Sequence, residues 1–240
     1  MGVSEDVRRR AALHAALGEP VRLAIADRLA FGDASPGELG AALDVPTNLL
    51  AHHVRVLEEA GVIRRGRSEG DRRRSYLRLA LDDPRVARLT APLPTPRRAA
   101  ADQTGSSAER VVFVCTRNSA RSQLATAAWA RVSPVPTASA GTHPAPRVHP
   151  RAVRIAHRHG LHLDAAGTAR LDEVVRTGDL VVAVCDNAHE ELAGPSSRLH
   201  WSIPDPAPLD TDEAFEAAYQ LITERVDRLA HAVHTDALPA

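Results

Sequence analysis

The sequence predicts a mainly helical N-terminal domain followed by an α/β domain built on a parallel sheet. Three observations predict this. Up to about residue 84, apolar residues recur at helical spacing, broken by one short paired-strand pattern. From residue 109 onward, short apolar runs alternate with helical stretches, the pattern of a parallel sheet with helices on both faces. Between them, residues 85–108 include APLPTPRRAAADQTGSSAE, rich in Pro, Ala, Ser and Gly and without a periodic apolar face. This stretch reads as a helix end followed by a flexible linker. The expected organisation is domains at 1–84 and 109–240 joined by a linker at 85–108. A chain of 240 residues can hold two such small domains.

Composition narrows the function classes. Thirty basic residues, all Arg, balance thirty acidic ones, so charge alone directs the whole chain to no partner. Cys115 and Cys185 are the only cysteines, too few for a disulfide framework or a thiolate zinc site. The twelve histidines fall into no recognised ligand spacing, and no metal site is expected. No long apolar span or leader-like run occurs, so the expectation is a soluble, cytoplasmic protein with no membrane partner and reduced thiols. Aromatics are 3% of the residues, so the cores are expected to rest on Leu, Val, Ile and Ala.

In the first part, Arg8–Leu17 and Val21–Leu29 read as helices. Ser35-Pro36-Gly37-Glu38 is a helix start, with Ser as cap, Pro at the first position and Glu at the third. That helix runs to Leu43. A turn at Asp44-Val45-Pro46 leads to a second helix, Thr47 to about Ala60, closed by Gly61. Two short helices joined by a tight turn form a helix-turn-helix pattern. Val62-Ile63 and Ser75–Leu79 then flank a turn at Ser68–Asp71, which makes a β-hairpin wing. From Arg64 to Arg78 there are seven Arg against Glu69 and Asp71. Such a hairpin is suited to phosphate contacts, with Arg72, Arg73 and Arg74 the chief candidates. Leu50, Val54 and Leu57 share the core face of the second helix. Thr47, Asn48, Ala51, His52 and Arg55 therefore face outward near its N-terminal half, where base contacts are made.

LGEPVRLAIADRL, SPGELGAALDV, LLAHHVRVLEEAGVI and RRRSYLRL together resemble the ArsR-type winged-helix repressors over about residues 8–84. The resemblance implies a homodimer on palindromic, double-stranded operator DNA. Many members sense metals or As(III) through cysteines on the helix before the recognition helix. Here that helix, SPGELGAALDV, has none, and residues 80–100 hold no His/Asp ligand cluster.

In the second part, strands are expected near 111–115, 136–140, 179–184 and 199–203. Helices are expected at 121–131, 149–160, 187–193 and 211–233. The first strand delivers Cys115 into a loop at a helix start, and Arg121 follows after five intervening residues. Loop amides and the helix dipole favour a thiolate there. With the Arg121 guanidinium they form a cradle for a tetrahedral oxyanion. Nucleophile and anion site coincide, which suits in-line attack on phosphate or arsenate.

CTRNSARSQ resembles the catalytic loop of the low-molecular-weight protein tyrosine phosphatase and arsenate reductase family. The likeness continues through SAGT, GLHLD, DLVVAVCD and PDPAP, over about residues 109–235. It implies Cys115 as nucleophile, Arg121 as oxyanion clamp and Asp205 as general acid. It also implies Ser122 as a donor to the sulfur and Asn118 as loop anchor. Arg117 stands where the family often has Gly, a departure that bears on the loop's shape. Two features lean toward the reductases: Gln123 where the phosphatases usually have Pro, and Ala207-Pro208-Leu209 where they tend to have aromatics. Thioredoxin-coupled reductases use two further cysteines. Cys185 aligns with the first and is the candidate redox residue; Leu192 replaces the second. The expectation is a bifunctional arsenic-resistance protein, a regulator joined to a thiol-dependent arsenate reductase. It would bind no cofactor and use an external thiol such as mycothiol, or glutathione with a glutaredoxin-type redoxin. The alternatives are a phosphatase fused to a DNA-binding domain, and a regulator whose second domain senses oxyanion or oxidation without turnover.

Overall fold

The structure, a computed structural model, describes residues 2–91, 109–192 and 198–233. The linker expected at 85–108 lies outside the described residues from 92 on. The chain divides into two compact units, Met1–Ser68 with Arg72–Leu93, and Glu69–Asp71 with Pro94–Ala240. Each is described by itself.

The first unit is helical because its caps and apolar spacing agree. Helix α1 (Glu5–Leu17) starts at Ser4, whose side chain accepts from the Val7 amide. Helix α2 (Pro20–Leu29) is capped by Glu19, which accepts from the Val21 and Arg22 amides at 3.1 and 2.9 Å. Helix α3 (Pro36–Leu43) carries the full capping box between Ser35 and Glu38. It ends at Asp44 in the left-handed region, φ 51°, and α4 (Thr47–Glu59) follows after one tight turn. Strands β1 (Ile63–Arg67) and β2 (Ser75–Leu79) pair antiparallel, Arg65 opposite Leu77. Helix α5 (Pro84–Leu89) then adds Val86 to a core of Leu13, Ile25, Leu39, Leu50, Val54, Leu57 and Leu77. Regular structure thus continues past residue 84. The buried members of this core are aliphatic, with Phe31 packed against it.

The second unit is a four-stranded parallel sheet in the order β4-β3-β5-β6. Its strands are β3 (Arg110–Cys115), β4 (Thr137–Gly141), β5 (Asp179–Ala183) and β6 (Arg198–His200). The helices are α6 (Arg121–Val132), α7 (Pro150–Arg158), α8 (Leu171–Val174), α9 (Asp186–Glu191) and α10 (Asp212–Val233). Every residue from Val111 to Cys115 is buried, as a central parallel strand requires. Its start is pinned by Arg110, which donates to both Asp179 oxygens at 2.9 and 2.6 Å and to the Val174 carbonyl at 2.7 Å.

Three expectations change here. The last strand ends at His200 rather than at 203. The Trp201 amide still donates to Ala183, but the Ile203 amide donates to the Trp201 carbonyl at 2.9 Å, a local bond that takes the chain out of the ladder. Helix α8 lies in a stretch for which the sequence suggests no element. The core of this unit is also not purely aliphatic. Phe113, Trp129 and Trp201 are fully buried at its centre, with the Phe113 ring 6.0 and 5.6 Å from those of Trp129 and Trp201. A low aromatic count says nothing about clustering, and here the few rings are concentrated.

Candidate functional site

The loop from Thr116 to Ala120 joins β3 to α6 at the C-terminal edge of the sheet. Its shape is set by backbone bonds to the segment after β4. Amides of Thr142, His143, Ala145 and His149 donate to the carbonyls of Cys115, Thr116, Arg117 and Ser119, at 2.8–3.2 Å. In a trans peptide unit C=O and N–H point in opposite directions. The amides of residues 116, 117, 118 and 120 therefore face the other side of the loop, a nest for an anion. Helix α6 begins there with no side-chain cap, so its first amides add to the same positive field.

Asn118 is the loop's left-handed residue, φ 48°. Arg117 is not among the positive-φ residues and is exposed, so the exchange for the family's glycine costs no backbone strain. Gly141 is a functional residue that the sequence reading passes over. A Cβ there would lie 2.9 Å from the Thr116 carbonyl oxygen and 3.0 Å from the Asn118 backbone. The Gly of SAGT lets β4 approach the loop this closely.

The structure brings Cys115, Asn118, Arg121, Ser122 and Asp205 together. Cys115 Sγ is 3.1 Å from Ser122 Oγ. Asn118 Nδ2 donates to Ser122 Oγ at 2.9 Å, and its Oδ1 accepts from the Ala169 amide at 2.8 Å. Arg121 is buried, donates to the Ile203 carbonyl at 2.9 Å, and its second terminal nitrogen is 3.4 Å from Asp205 Oδ2. Burial works against its charge, but the neighbouring Cys185, Glu69, Cys115 and Asp205 outweigh this and hold the guanidinium pKa above its ordinary value. Asp205 keeps its side chain part-exposed and caps its own turn, accepting from the Ala207 amide at 3.2 Å.

Cys185 caps α9 at the end of β5, the strand beside β3. It is fully buried, with its sulfur 3.6 Å from Thr116 Oγ1. Burial pushes its thiol up to about 11. Leu192 stands at the opposite end of α9. At 1.5 Å per helical residue the two positions are about 10 Å apart along the axis, beyond disulfide reach. Behind Cys185, Asp186 and His200 form a buried pair at 2.9 Å, and the His189 ring stacks on His200 at 4.0 Å. Among the described residues, no group of three His, Cys, Asp or Glu side chains is arranged to hold a metal ion. No helix among them is long and apolar enough to cross a membrane.

In the first unit, Thr47, Asn48, Ala51, His52 and Arg55 are exposed along one side of α4. Leu49, 43% exposed, joins this strip, and His53 is buried, 3.3 Å from Glu19. The seven Arg of the hairpin are not equivalent. Arg64 is tied to Asp82 at 2.8 Å, and Arg65 to Glu58 at 3.0 Å. Arg72, Arg73 and Arg74 are exposed next to the turn.

Comparison with known proteins agrees with both units. Residues 17–65 match the family model described as a helix-turn-helix domain. An arsenate reductase of Halalkalibacterium halodurans is 32% identical over 126 residues, covering 49% of this chain and 89% of that protein. An arsenate reductase of Bacillus cereus is 30% identical over 129 residues, covering 50% of this chain and 92% of that protein. The crystal structure of arsenate reductase from Archaeoglobus fulgidus aligns at 31% identity and a TM-score of 0.44, over 50% of this chain and 98% of that one. Residues 110–238, more than half of the chain, match the family model for low molecular weight phosphotyrosine protein phosphatase. Joined to a helix-turn-helix domain, this chain belongs to the low molecular weight phosphotyrosine protein phosphatase family.

Proposed function

We propose that the chain is a thiol-dependent arsenate reductase joined to a DNA-binding regulator of arsenic resistance. The observation that carries the catalytic half is the coincidence of Cys115, the loop amides and buried Arg121 at one point. The curated relatives named arsenate reductase support arsenate as substrate. So does the PDPAPLD segment, which carries no aromatic to flank a phosphotyrosine ring.

The Cys115 thiolate attacks arsenate, an As–S bond forms, and an As–O bond breaks. Asp205 protonates the departing oxygen, which leaves as water. Arg121 and the loop amides hold the remaining oxygens. An external thiolate then attacks the Cys115 sulfur. The As–S electron pair moves to arsenic, arsenite leaves, and a mixed disulfide remains on Cys115. A second thiol, or a redoxin, reduces that disulfide. Arsenic gains two electrons and two thiols lose them.

External thiol is the donor in this reading because the internal relay is incomplete. Leu192 cannot resolve a disulfide, and the Cys185 thiol is buried and held protonated at neutral pH. Cys185→Ala should therefore keep most of the arsenate-dependent oxidation of mycothiol or glutathione, and thioredoxin alone should support little turnover. Efficient thioredoxin-driven reduction that vanishes in Cys185→Ala would contradict the external-thiol scheme.

The helix-turn-helix match supports DNA binding; a homodimer on double-stranded operator DNA is what the resemblance to the ArsR-type repressors implies. Arg72, Arg73 and Arg74, exposed next to the turn, serve as phosphate contacts. Thr47, Asn48, Ala51, His52 and Arg55 reach base edges. Replacing Arg72, Arg73 and Arg74 by Ala should weaken binding to every sequence. It should lower the log–log salt slope by roughly 3 per protomer. Asn48→Ala or His52→Ala should instead relax sequence preference. An unchanged salt slope in the triple variant, read by fluorescence anisotropy, would remove the wing from the DNA interface.

A further inference from the structure

We infer that Gln123 is a positioning residue for the nucleophile, fixing the direction in which the Ser122 hydroxyl donates. The inference rests on Cys115 being the nucleophile proposed above.

An Asn or Gln amide can be turned either way unless a neighbour of fixed polarity decides it. Here two backbone groups decide. Gln123 is buried, and one of its amide atoms lies 2.7 Å from the carbonyl oxygen of Gly167. A carbonyl only accepts, so that atom is Nε2. Nε2 also lies 3.3 Å from an amide atom of Asn118, which must then be Oδ1. The Ala169 amide, which only donates, meets the same Asn118 atom at 2.8 Å. Nδ2 of Asn118 is thereby turned to Ser122 Oγ, at 2.9 Å. With an N–H already donated to that oxygen, the Ser122 proton is directed to the neighbour at 3.1 Å, Cys115 Sγ.

The chain of polarity runs from Gly167 and Ala169 through Gln123, Asn118 and Ser122 to the sulfur. Each donor faces an acceptor, and the terminal donor stabilises the thiolate. Were Asn118 reversed, its Oδ1 would draw the Ser122 proton away from the sulfur, and its Nδ2 would face two donors. Gln123 touches no reacting atom in this arrangement; it acts through Asn118. It also ties Gly167, in the segment before α8, to the first turn of α6, 44 residues earlier in sequence.

The test is the pH dependence of Cys115 alkylation by iodoacetamide, read by mass spectrometry on the Cys115 peptide so that Cys185 does not contribute. Gln123→Met keeps the length and removes the polarity. Gln123→Glu sets a carboxylate against Gly167 O and Asn118 Oδ1. Gln123→Met should move the alkylation midpoint up by about half a unit to one unit, and Gln123→Glu further, through loss of a donor to the charged sulfur. In a Ser122→Ala background, Gln123→Met should add nothing, because the relay is already cut. Circular dichroism and tryptophan fluorescence confirm that each variant compared is folded. An unmoved midpoint in both folded Gln123 variants, or equal shifts with and without Ser122, would overturn the inference. The readout needs no arsenate. If the midpoints move as stated while arsenate is not consumed, the reductase reading fails and this one stands.

Discussion

Cys115→Ser is expected to abolish turnover. A hydroxyl at that position cannot form the thiolate that attacks arsenic, and loss of a nucleophile costs on the order of a thousandfold or more. The substitution is nearly isosteric, and the loop is held by backbone bonds that do not involve the sulfur. The fold should survive, so the loss would be chemical rather than structural. Arg121→Ala should fall in the range of about 100- to 1,000-fold for losing an oxyanion donor. It also removes the donor to Ile203 and the partner of Asp205, so part of that loss is misplacement of the acid. Steady-state rates with arsenate and an excess of thiol decide the matter. Retention of more than a few per cent of activity in Cys115→Ser would show that the nucleophile is misassigned.

The second large effect is on stability. Phe113→Ala should destabilise the second unit by about 3–5 kcal/mol, the usual cost of deleting a buried ring and leaving a cavity. Phe113 is fully buried in the central strand and its ring contacts both Trp129 and Trp201. Neighbours in a parallel sheet cannot collapse far into such a gap, because their backbones are fixed by the ladder. Against a typical total of about 5–15 kcal/mol, this leaves the unit marginal. The chain's two tryptophans are the same two residues, so their fluorescence during urea unfolding reports this unit alone. The midpoint should fall sharply with little change in slope. A midpoint within error of the parent's would mean that the aromatic cluster is not the core's centre.

Much of this fold is legible in the sequence because local chemistry and tertiary structure agree. The capping box at Ser35, the turn at Asp44, the valine run before Cys115 and the Pro-flanked Asp205 each announce themselves locally. The loop's left-handed residue is legible too, since Asn tolerates that conformation. What the sequence does not show depends on distant partners. Gln123 stands out in sequence as a residue that leans toward the reductases, but its role depends on Gly167 and Ala169. Gly141 matters only because β4 pairs in register with β3, Cys115 opposite Gly141. The hairpin's Arg count overstates its free charge, because Asp82 and Glu58 come from outside the hairpin. Clustering of the few aromatics follows from topology rather than composition.

The central claim, that this site reduces arsenate, is tested most directly in one preparation of the full chain with two assays run side by side. One follows arsenate-dependent oxidation of mycothiol or glutathione with its redoxin; the other follows hydrolysis of para-nitrophenyl phosphate. The expected result is stoichiometric arsenite formation, two thiols oxidised per arsenate, with phosphate-ester hydrolysis much the slower reaction and both lost in Cys115→Ser. Rapid ester hydrolysis with no arsenate-dependent thiol oxidation would contradict it and make the second unit a phosphatase.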